Sequence, residues 1–368
     1  MKIIFAGGGT GGHLYPGLAI ARALVRCEPT VEPFFIGAKR GIEREVLPGT
    51  EFPHALLDLH PLYRTRPWDN WRTVRGGVTA WRAIGRQLRF GKPRLVVGTG
   101  GYAAGLVLGY AAVHRRPYVL QEQNSHPGLT MRAFSRWARE VYLGFPEAAA
   151  LLPRGARTVM VDSGNPIEPP PPVRPDSRLA RERWDLAPGG RVLLVVGGSQ
   201  GARAVNEVVA AWVRDGVPTG WQVIWATGRG SYDSYSMLES ERVRVRPYLA
   251  PIAHAYAAAD LALCRAGAMT TAELCAWGIP SVLVPLPTAA ADHQTANARA
   301  LESAGASLFL PQSQFAPSRI TETLATIDAD PARLARLAAA AAARGRPDAA
   351  ETIARRILTL LDVKQIRS

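Results

Sequence analysis

The sequence predicts an α/β protein built of two doubly wound parallel sheets. Three observations carry that prediction. The chain has 368 residues, more than one hydrophobic core usually holds. A strand, glycine-rich turn and helix occur in succession twice. The first copy is KIIFAGGGTGGH (2–13) running into PGLAIARALVR, and the second is RVLLVVGGSQGAR (191–203) running into AVNEVVAAWVR. Each reads as the opening unit of a doubly wound sheet. Between the halves lies NPIEPPPPVRP (165–175), six of whose eleven residues are proline, which makes a semi-rigid extended connector.

Further strands follow in order. VEPFFIG (31–37), RLVVGTGGY (94–102) and RPYVLQEQN (116–124) fit the first half. WQVIWATG (221–228), LALCRAG (261–267) and IPSVLVPLP (279–287) fit the second. Helical segments between them supply the crossovers that parallel strands require. The Ala-, Leu- and Arg-rich tail from about Pro331 reads as helix. The expected domains are 1–163 and 164–344, with a last helix over about 345–368. Ligands of such sheets bind beyond the carboxyl ends of the strands, where both glycine-rich turns lie.

Composition narrows the class. At 47% hydrophobic the chain is an ordinary globular protein. Cys27, Cys264 and Cys275 sit in apolar runs without metal-like spacing and read as buried thiols in a reducing compartment. Met1 leads straight into a strand, so no leader is expected, and no run of about 18 uncharged apolar residues spans a bilayer. Lys and Arg number 44 against 30 Asp and Glu, a net +14 that favours anionic partners such as nucleic acid, anionic lipid or phosphate-bearing substrates.

Gly7, Gly9 and Gly12 satisfy G-x-G-x-x-G, but a run this rich in glycine matches many patterns. The second strand ends in Gly37, not in the acid that a nicotinamide site uses to grip ribose. No G-K-[ST] follows, so an ATPase loop is also excluded. What remains is a turn whose backbone N–H groups, with a helix N-terminus, can approach an anion. Tight packing of helix on strand is the plainer alternative. His13 opens the helix, where the dipole disfavours its cation and leaves a neutral imidazole suited to general-base work.

GGGTGGH, GTGGY (98–102), EQN (122–124), GNP (164–166), GGSQGAR (197–203), CRAGAMTTAE (264–273) and DHQTANA (292–298) occur in that order. Together they resemble the MurG family of peptidoglycan glycosyltransferases over nearly the whole chain. The resemblance implies the GT-B fold, two Rossmann-like parallel-sheet domains facing a central cleft, with the C-terminal helix packed back on the first. It implies inverting transfer of GlcNAc from UDP-GlcNAc to the C4 hydroxyl of MurNAc in lipid I, giving lipid II and UDP. UDP-GlcNAc is a substrate, no cofactor is expected, and no DxD-like pair suggests an essential divalent metal. The implied setting is peripheral, on the cytoplasmic face of the inner membrane, with lipid I, an anionic membrane surface and other cell-wall synthesis proteins as partners and no nucleic acid.

Roles carry over by matching position. His13 is the matching base candidate, and Glu122 is a second catalytic candidate. Thr10, Gly11, Gly12 and Asn124 match donor- or cleft-facing positions, and Gly9, Gly100, Gly101 and Tyr102 match acceptor-side ones, so the resemblance implies that the opening loop faces the reacting sugars and the acceptor diphosphate. In the second half Glu273 matches a carboxylate on the donor ribose. The backbone around Met269 and Thr270 would read uracil, with Arg265 close to the nucleotide and Leu249 near the base. Gly198, Ser199, Gln200 and Gly201 match the diphosphate loop, Asn206 a polar position on the next helix, and His293 and Gln294 the pair facing the sugar. The chain departs from the family pattern at three points. Gln121 stands where the pattern often reads His, Met131 where Asn is common, and Glu168 where an Arg contacts the donor, for which Arg174 is a substitute.

Residues 64–94 carry nine Lys or Arg against Asp69 alone, a net +8. Trp71, Val74, Val78, Trp81, Ile84 and Leu88 recur at helical spacing. Arg72, Arg75, Arg82, Arg86 and Arg89 flank that stripe. Two readings stand: an amphipathic helix on its own core, or a membrane patch in which Trp71, Trp81 and Leu88 dip among lipid headgroups held by the arginines. Gly76-Gly77 either weakens a continuous helix or marks its start. A nucleic-acid-binding protein, a dehydrogenase, and a GT-B enzyme acting on another lipid or small-molecule acceptor are the rival classes.

Overall fold

The structure, a computed structural model, describes residues 1–59, 70–187, 189–197 and 201–362, without the side chains of 70–76 and 90. The chain divides into two compact units, Met1–Glu168 with Pro347–Ser368, and Pro169–Arg346. The division falls inside the proline-rich connector, five residues beyond the expected boundary.

The first unit holds seven strands, β1 (Lys2–Gly7), β2 (Glu32–Ala38), β3 (His54–Leu57), β4 (Leu95–Gly100), β5 (Tyr118–Glu122), β6 (Glu140–Leu143) and β7 (Val159–Asp162). They form one parallel sheet in the order β3-β2-β1-β4-β5-β6-β7. Its helices are α1 (Gly11–Cys27), α2 (Glu43–Val46), α3 (Asn70–Phe90), α4 (Gly101–Val113) and α5 (Leu129–Phe134).

The second unit holds β8 (Arg191–Val196), β9 (Trp221–Ala226), β10 (Val243–Arg246), β11 (Leu261–Cys264), β12 (Ser281–Leu283) and β13 (Ser307–Phe309), parallel in the order β10-β9-β8-β11-β12-β13. Its helices are α6 (Ser177–Arg183), α7 (Arg203–Asp215), α8 (Tyr232–Tyr235), α9 (Ala253–Ala258), α10 (Ala268–Trp277), α11 (His293–Ser303), α12 (Pro317–Ala329) and α13 (Pro331–Arg344). The last helix, α14 (Ala349–Asp362), returns to the first unit.

Strand β1 shows why the apolar runs read as strands without a polar face. Ile3 and Phe5 join a core with Leu14, Leu18 and Leu24 of α1 and Ile353 and Ile357 of α14. Ile4 and Ala6 point the other way, onto Ile84 and Leu88 of α3 and Val107 of α4. Side chains alternate faces along a strand, and here both faces are covered. Arg356 of α14 adds a bidentate pair to the buried Glu140 of β6, at 2.8 and 2.7 Å. The second unit is built around three fully buried tryptophans, Trp212 on α7 and Trp221 and Trp225 on β9.

Of the two readings of Gly76-Gly77 the continuous helix holds: α3 starts at Asn70 and runs through the pair, because a glycine pair costs only about 2 kcal/mol in a helix of 21 residues. Two expectations of the membrane patch need correction. Leu88 is no lipid anchor: with Ile84 it is fully buried against the sheet. Trp81 packs its ring on Tyr110 of α4, centroids 4.9 Å apart, and is half-buried. Arg82, Arg86 and Arg89 stay exposed on one side of the helix, while the side chains of Trp71, Arg72 and Arg75 lie outside the described residues. Among the described residues no helix is long and apolar enough to cross a membrane.

Strands β3, β6, β7, β10 and β13 had no counterpart in the sequence reading. Each is three or four residues long and lies at or near a sheet edge, so it lacks the long apolar run of a central strand.

The core contact of α14 predicts a specific loss. Ile353→Ala should destabilise the first unit by about 2–4 kcal/mol, since a buried branched side chain leaves a cavity. Chemical denaturation followed by far-ultraviolet circular dichroism checks it, and a change below 1 kcal/mol, roughly that of a surface site, would contradict it.

Candidate active site

In the first unit the glycine turn after β1 is held from beneath by an acid that the sequence reading passed over. Glu43, the first residue of α2, is fully buried. Its Oε2 accepts from the Gly9 N–H at 2.9 Å and its Oε1 from the Ala38 N–H at 3.1 Å, so one carboxylate ties the turn after β1 to the end of β2. A Cβ on Gly8 would lie 1.9 Å from Oε1, and one on Gly41 2.0 Å from Oε2. Gly37, read as the absence of a ribose-gripping acid, is small because the Glu43 side chain packs against it. The signal was the spacing of Gly37, Gly41 and Glu43 just beyond an apolar strand.

The turn therefore does two jobs. Gly7, Gly8 and Gly9 serve close packing, Gly9 against the half-buried Tyr102 ring. Beyond them Thr10 and Gly12 are exposed and Gly11 half-buried, and Thr10 leads into α1 without capping it through its side chain. His13 is in the first turn of α1, half-buried, its Nδ1 3.0 Å from Gln123 Oε1. Gly100, which ends β4, and Gly101, which opens α4, sit against the same imidazole.

Glu122 ends β5 and is 2% exposed. Oε1 accepts from the backbone N–H and side-chain amide of Asn124 (2.8 and 3.3 Å), and Oε2 from the Gly128 N–H at 2.9 Å. Burial pushes its carboxyl above the ordinary range, and those N–H donors pull it back. Both oxygens bond the 124–128 loop, so Glu122 organises that loop. Asn124 is drawn into the same clasp.

In the second unit the candidates gather at the carboxyl ends of the strands. Gly198, Ser199 and Gln200 lie outside the described residues. Gly201 has φ of 74°, and a Cβ there would meet the Thr227 carbonyl oxygen at 2.5 Å. Asn206 is fully buried: it donates to that same carbonyl at 2.7 Å and accepts from the Trp225 indole at 3.1 Å. Its expected place at the donor is therefore corrected, because both ends of its amide bind α7 to β9.

Arg265, after β11, is 9% exposed and donates to the carbonyls of Val284 and Pro285 at 3.0 and 3.1 Å, and burial lowers its pKa. Gln294 accepts from the Leu286 N–H at 2.9 Å, and the buried Asn297 donates to the Ala266 carbonyl at 3.2 Å. His293 Nδ1 lies 2.7 Å from the Ala290 carbonyl. Met269, Thr270 and Glu273 are half-buried on α10. Glu273 accepts from the Tyr256 hydroxyl at 2.7 Å, and burial and that carboxylate hold the phenol well above its usual range. Leu249 is buried beyond β10.

Arg174 is not a substitute donor contact. It bonds the carbonyls of Ala276 and Trp277 at 2.9 and 3.1 Å, capping the end of α10 away from Met269. It also lines a cavity of about 510 Å³ with Asp260, Trp277 and Leu334, at the amino ends of the strands. Glu168 is exposed in the first unit. Among the described residues no group of three or more His, Cys, Asp or Glu is placed to hold a metal ion.

The Glu43 clasp predicts that Glu43→Gln is not a silent change. An amide offers one acceptor oxygen to two backbone donors, so one of the Gly9 and Ala38 N–H groups faces an amino group. The loss should be about 1–3 kcal/mol, checked by denaturation, and an unchanged midpoint would contradict the clasp.

The chain matches two family models, the glycosyltransferase family 28 N-terminal domain over residues 3–143 and its C-terminal domain over 192–353. It is 40% identical to the UDP-N-acetylglucosamine–N-acetylmuramyl-(pentapeptide) pyrophosphoryl-undecaprenol N-acetylglucosamine transferase of Salinibacter ruber, covering 98% of this chain and 97% of that one. It is 39% identical to the protein of the same name from Moorella thermoacetica, covering 98% and 100%. The crystal structure of Acinetobacter baumannii MurG superposes with a TM-score of 0.77 at 27% identity over 97% of this chain and 99% of that one. The fold, the order of the motifs and these likenesses agree: the chain belongs to glycosyltransferase family 28, among the UDP-N-acetylglucosamine–N-acetylmuramyl-(pentapeptide) pyrophosphoryl-undecaprenol N-acetylglucosamine transferases.

Proposed function

We propose that the protein transfers N-acetylglucosamine from UDP-GlcNAc to the C4 hydroxyl of the MurNAc residue of lipid I, releasing UDP and forming lipid II. The observation that carries this reading is the likeness, over nearly the full length, to transferases of that name.

The chemistry is a single displacement with inversion. As the C4 oxygen bonds to the anomeric carbon, its proton passes to His13 and the bond from that carbon to the diphosphate breaks, leaving the electron pair on UDP. A neutral imidazole suits the first task near neutral pH. Departure of the diphosphate needs donors aimed at the developing charge, a role that fits the loop between β8 and α7 at the positive end of that helix. Glu273, oriented by Tyr256, grips the ribose hydroxyls, and the backbone at Met269 and Thr270 reads uracil. Gln294 has its oxygen committed to Leu286, so it offers the sugar its amide N–H groups, beside His293. Thr10, Gly11 and Gly12 present backbone at the start of α1 to the acceptor diphosphate. No step calls for a metal or cofactor.

The acceptor is lipid-borne, so the protein works as a peripheral protein at the cytoplasmic face of the membrane. Arg82, Arg86 and Arg89, spaced by four and three on α3 and all exposed, form the anion-facing stripe. Leu88 in the core and the half-buried Trp81 support it from beneath.

Two outcomes are expected. Wild type should move label from UDP-GlcNAc to a short-chain lipid I analogue, and His13→Ala should cut kcat at least about 100-fold. Folded wild type that transfers nothing to lipid I would refute the reaction. At about 1 kcal/mol per basic residue, the triple change of Arg82, Arg86 and Arg89 to Ala should weaken binding to phosphatidylglycerol vesicles by roughly two orders of magnitude. It should leave KM for UDP-GlcNAc unchanged, and undiminished vesicle binding would refute the stripe.

A further inference from the structure

The imidazole of His13 is the outer end of a line of buried amides. Gln123, 2% exposed, donates from Nε2 to the Thr99 carbonyl oxygen at 2.7 Å and to Gln121 Oε1 at 2.6 Å. Its Oε1 is therefore the atom that meets His13 Nδ1 at 3.0 Å. Gln121, fully buried, donates from Nε2 to Asn165 Oδ1 at 3.0 Å. Asn165 donates from Nδ2 to the backbone carbonyl of Gln123 at 2.9 Å, closing the line on itself. The amide orientations are forced by their surroundings. Turning Gln123 over would press its oxygen against three oxygen acceptors, the fixed backbone carbonyls of Thr99 and Gln121 and Gln121 Oε1, and a buried polar atom without a partner is costly.

We propose that Gln123, Gln121 and Asn165 are positioning residues that hold neutral His13 in the tautomer protonated on Nδ1. An amide oxygen only accepts, so the Nδ1 it meets must be the nitrogen that carries hydrogen, and the ring's lone pair is then on Nε2. All the donors run one way: from His13 to Gln123, from Gln123 to Gln121, from Gln121 to Asn165. The value of this for catalysis rests on the proposed transferase reading, in which Nε2 receives the hydroxyl proton. The tautomer does not rest on it. Gln121 stands where the resembling family often carries histidine. A neutral imidazole there also offers one donor and one acceptor, so the same polarity can run through either residue.

The test uses the full chain labelled with ¹⁵N-histidine, with the His13 signals assigned by their loss in His13→Asn. At a pH where the ring is neutral, wild type should show Nδ1 as the protonated nitrogen and Nε2 as the bare one. Gln121→Leu, which removes both donor and acceptor, should shift that balance and lower kcat at least about tenfold, with KM for UDP-GlcNAc within twofold. Gln121→His should restore both. A wild-type spectrum with hydrogen on Nε2 overturns the proposal, and so does a folded Gln121→Leu protein with wild-type tautomer and kcat. The wild-type spectrum decides the matter even if Gln121→Leu does not fold. Should wild type transfer no sugar while the spectrum shows the Nδ1–H ring, the transferase reading falls and the relay stands.

Discussion

Several loops beyond the strands' carboxyl ends are pinned, among the described residues, by buried polar side chains that bond their backbone. Glu43 holds Gly9 and Ala38, and Glu122 holds Asn124 and Gly128. In the second unit Asn206 holds Thr227, Arg265 holds Val284 and Pro285, and Asn297 holds Ala266. A parallel sheet leaves its loops to find partners for backbone groups that have left the ladder, and buried groups cannot remain unpaired. One carboxylate or guanidinium serves two such groups at once. The glycines follow from this constraint, because the held backbone lies too close for a Cβ at Gly8, Gly41 and Gly201.

Loops fixed in advance suit a transfer reaction. Aligning two substrates and stabilising a departing diphosphate both gain from groups that do not reorganise during the reaction. The bend before α11 shows the same economy. Ala291 and Asp292 take consecutive left-handed conformations, φ 53° and 52°, which residues with a Cβ adopt only when their surroundings impose it. The Asp292 N–H bonds the Ala289 carbonyl, and Gln294 closes on Leu286. Tight backbone at this point puts His293 and Gln294 at the start of a helix instead of on a wandering loop.

The central strands and both glycine turns were legible because apolar runs and turn residues are local signals. Short edge strands were not, having three or four residues and little pattern. Among the site residues, the sequence drew attention to those in glycine-rich motifs and missed the acid beneath them. Glu43 lies 34 residues from Gly9 and the relay from His13 to Gln123 spans 110, so only the fold brings them together. Asn206 and Leu88 misled in the opposite sense. Position on a motif or a helical stripe does not reveal whether a side chain turns inward, and both are fully buried.

In the second unit the pinned loops lie at the carboxyl ends of the strands, and the cavity by Arg174 and Trp277 lies at the amino ends. UDP-GlcNAc is proposed to bind at the loops rather than the cavity. Hydrogen exchange of the full chain, read by mass spectrometry with and without UDP-GlcNAc, separates them in one experiment. Added donor should slow exchange in peptides covering the loop after β8, the start of α10 and residues 284–294, and leave peptides around Trp277 and Leu334 unchanged. Protection at the cavity with none at the loops would contradict the assignment.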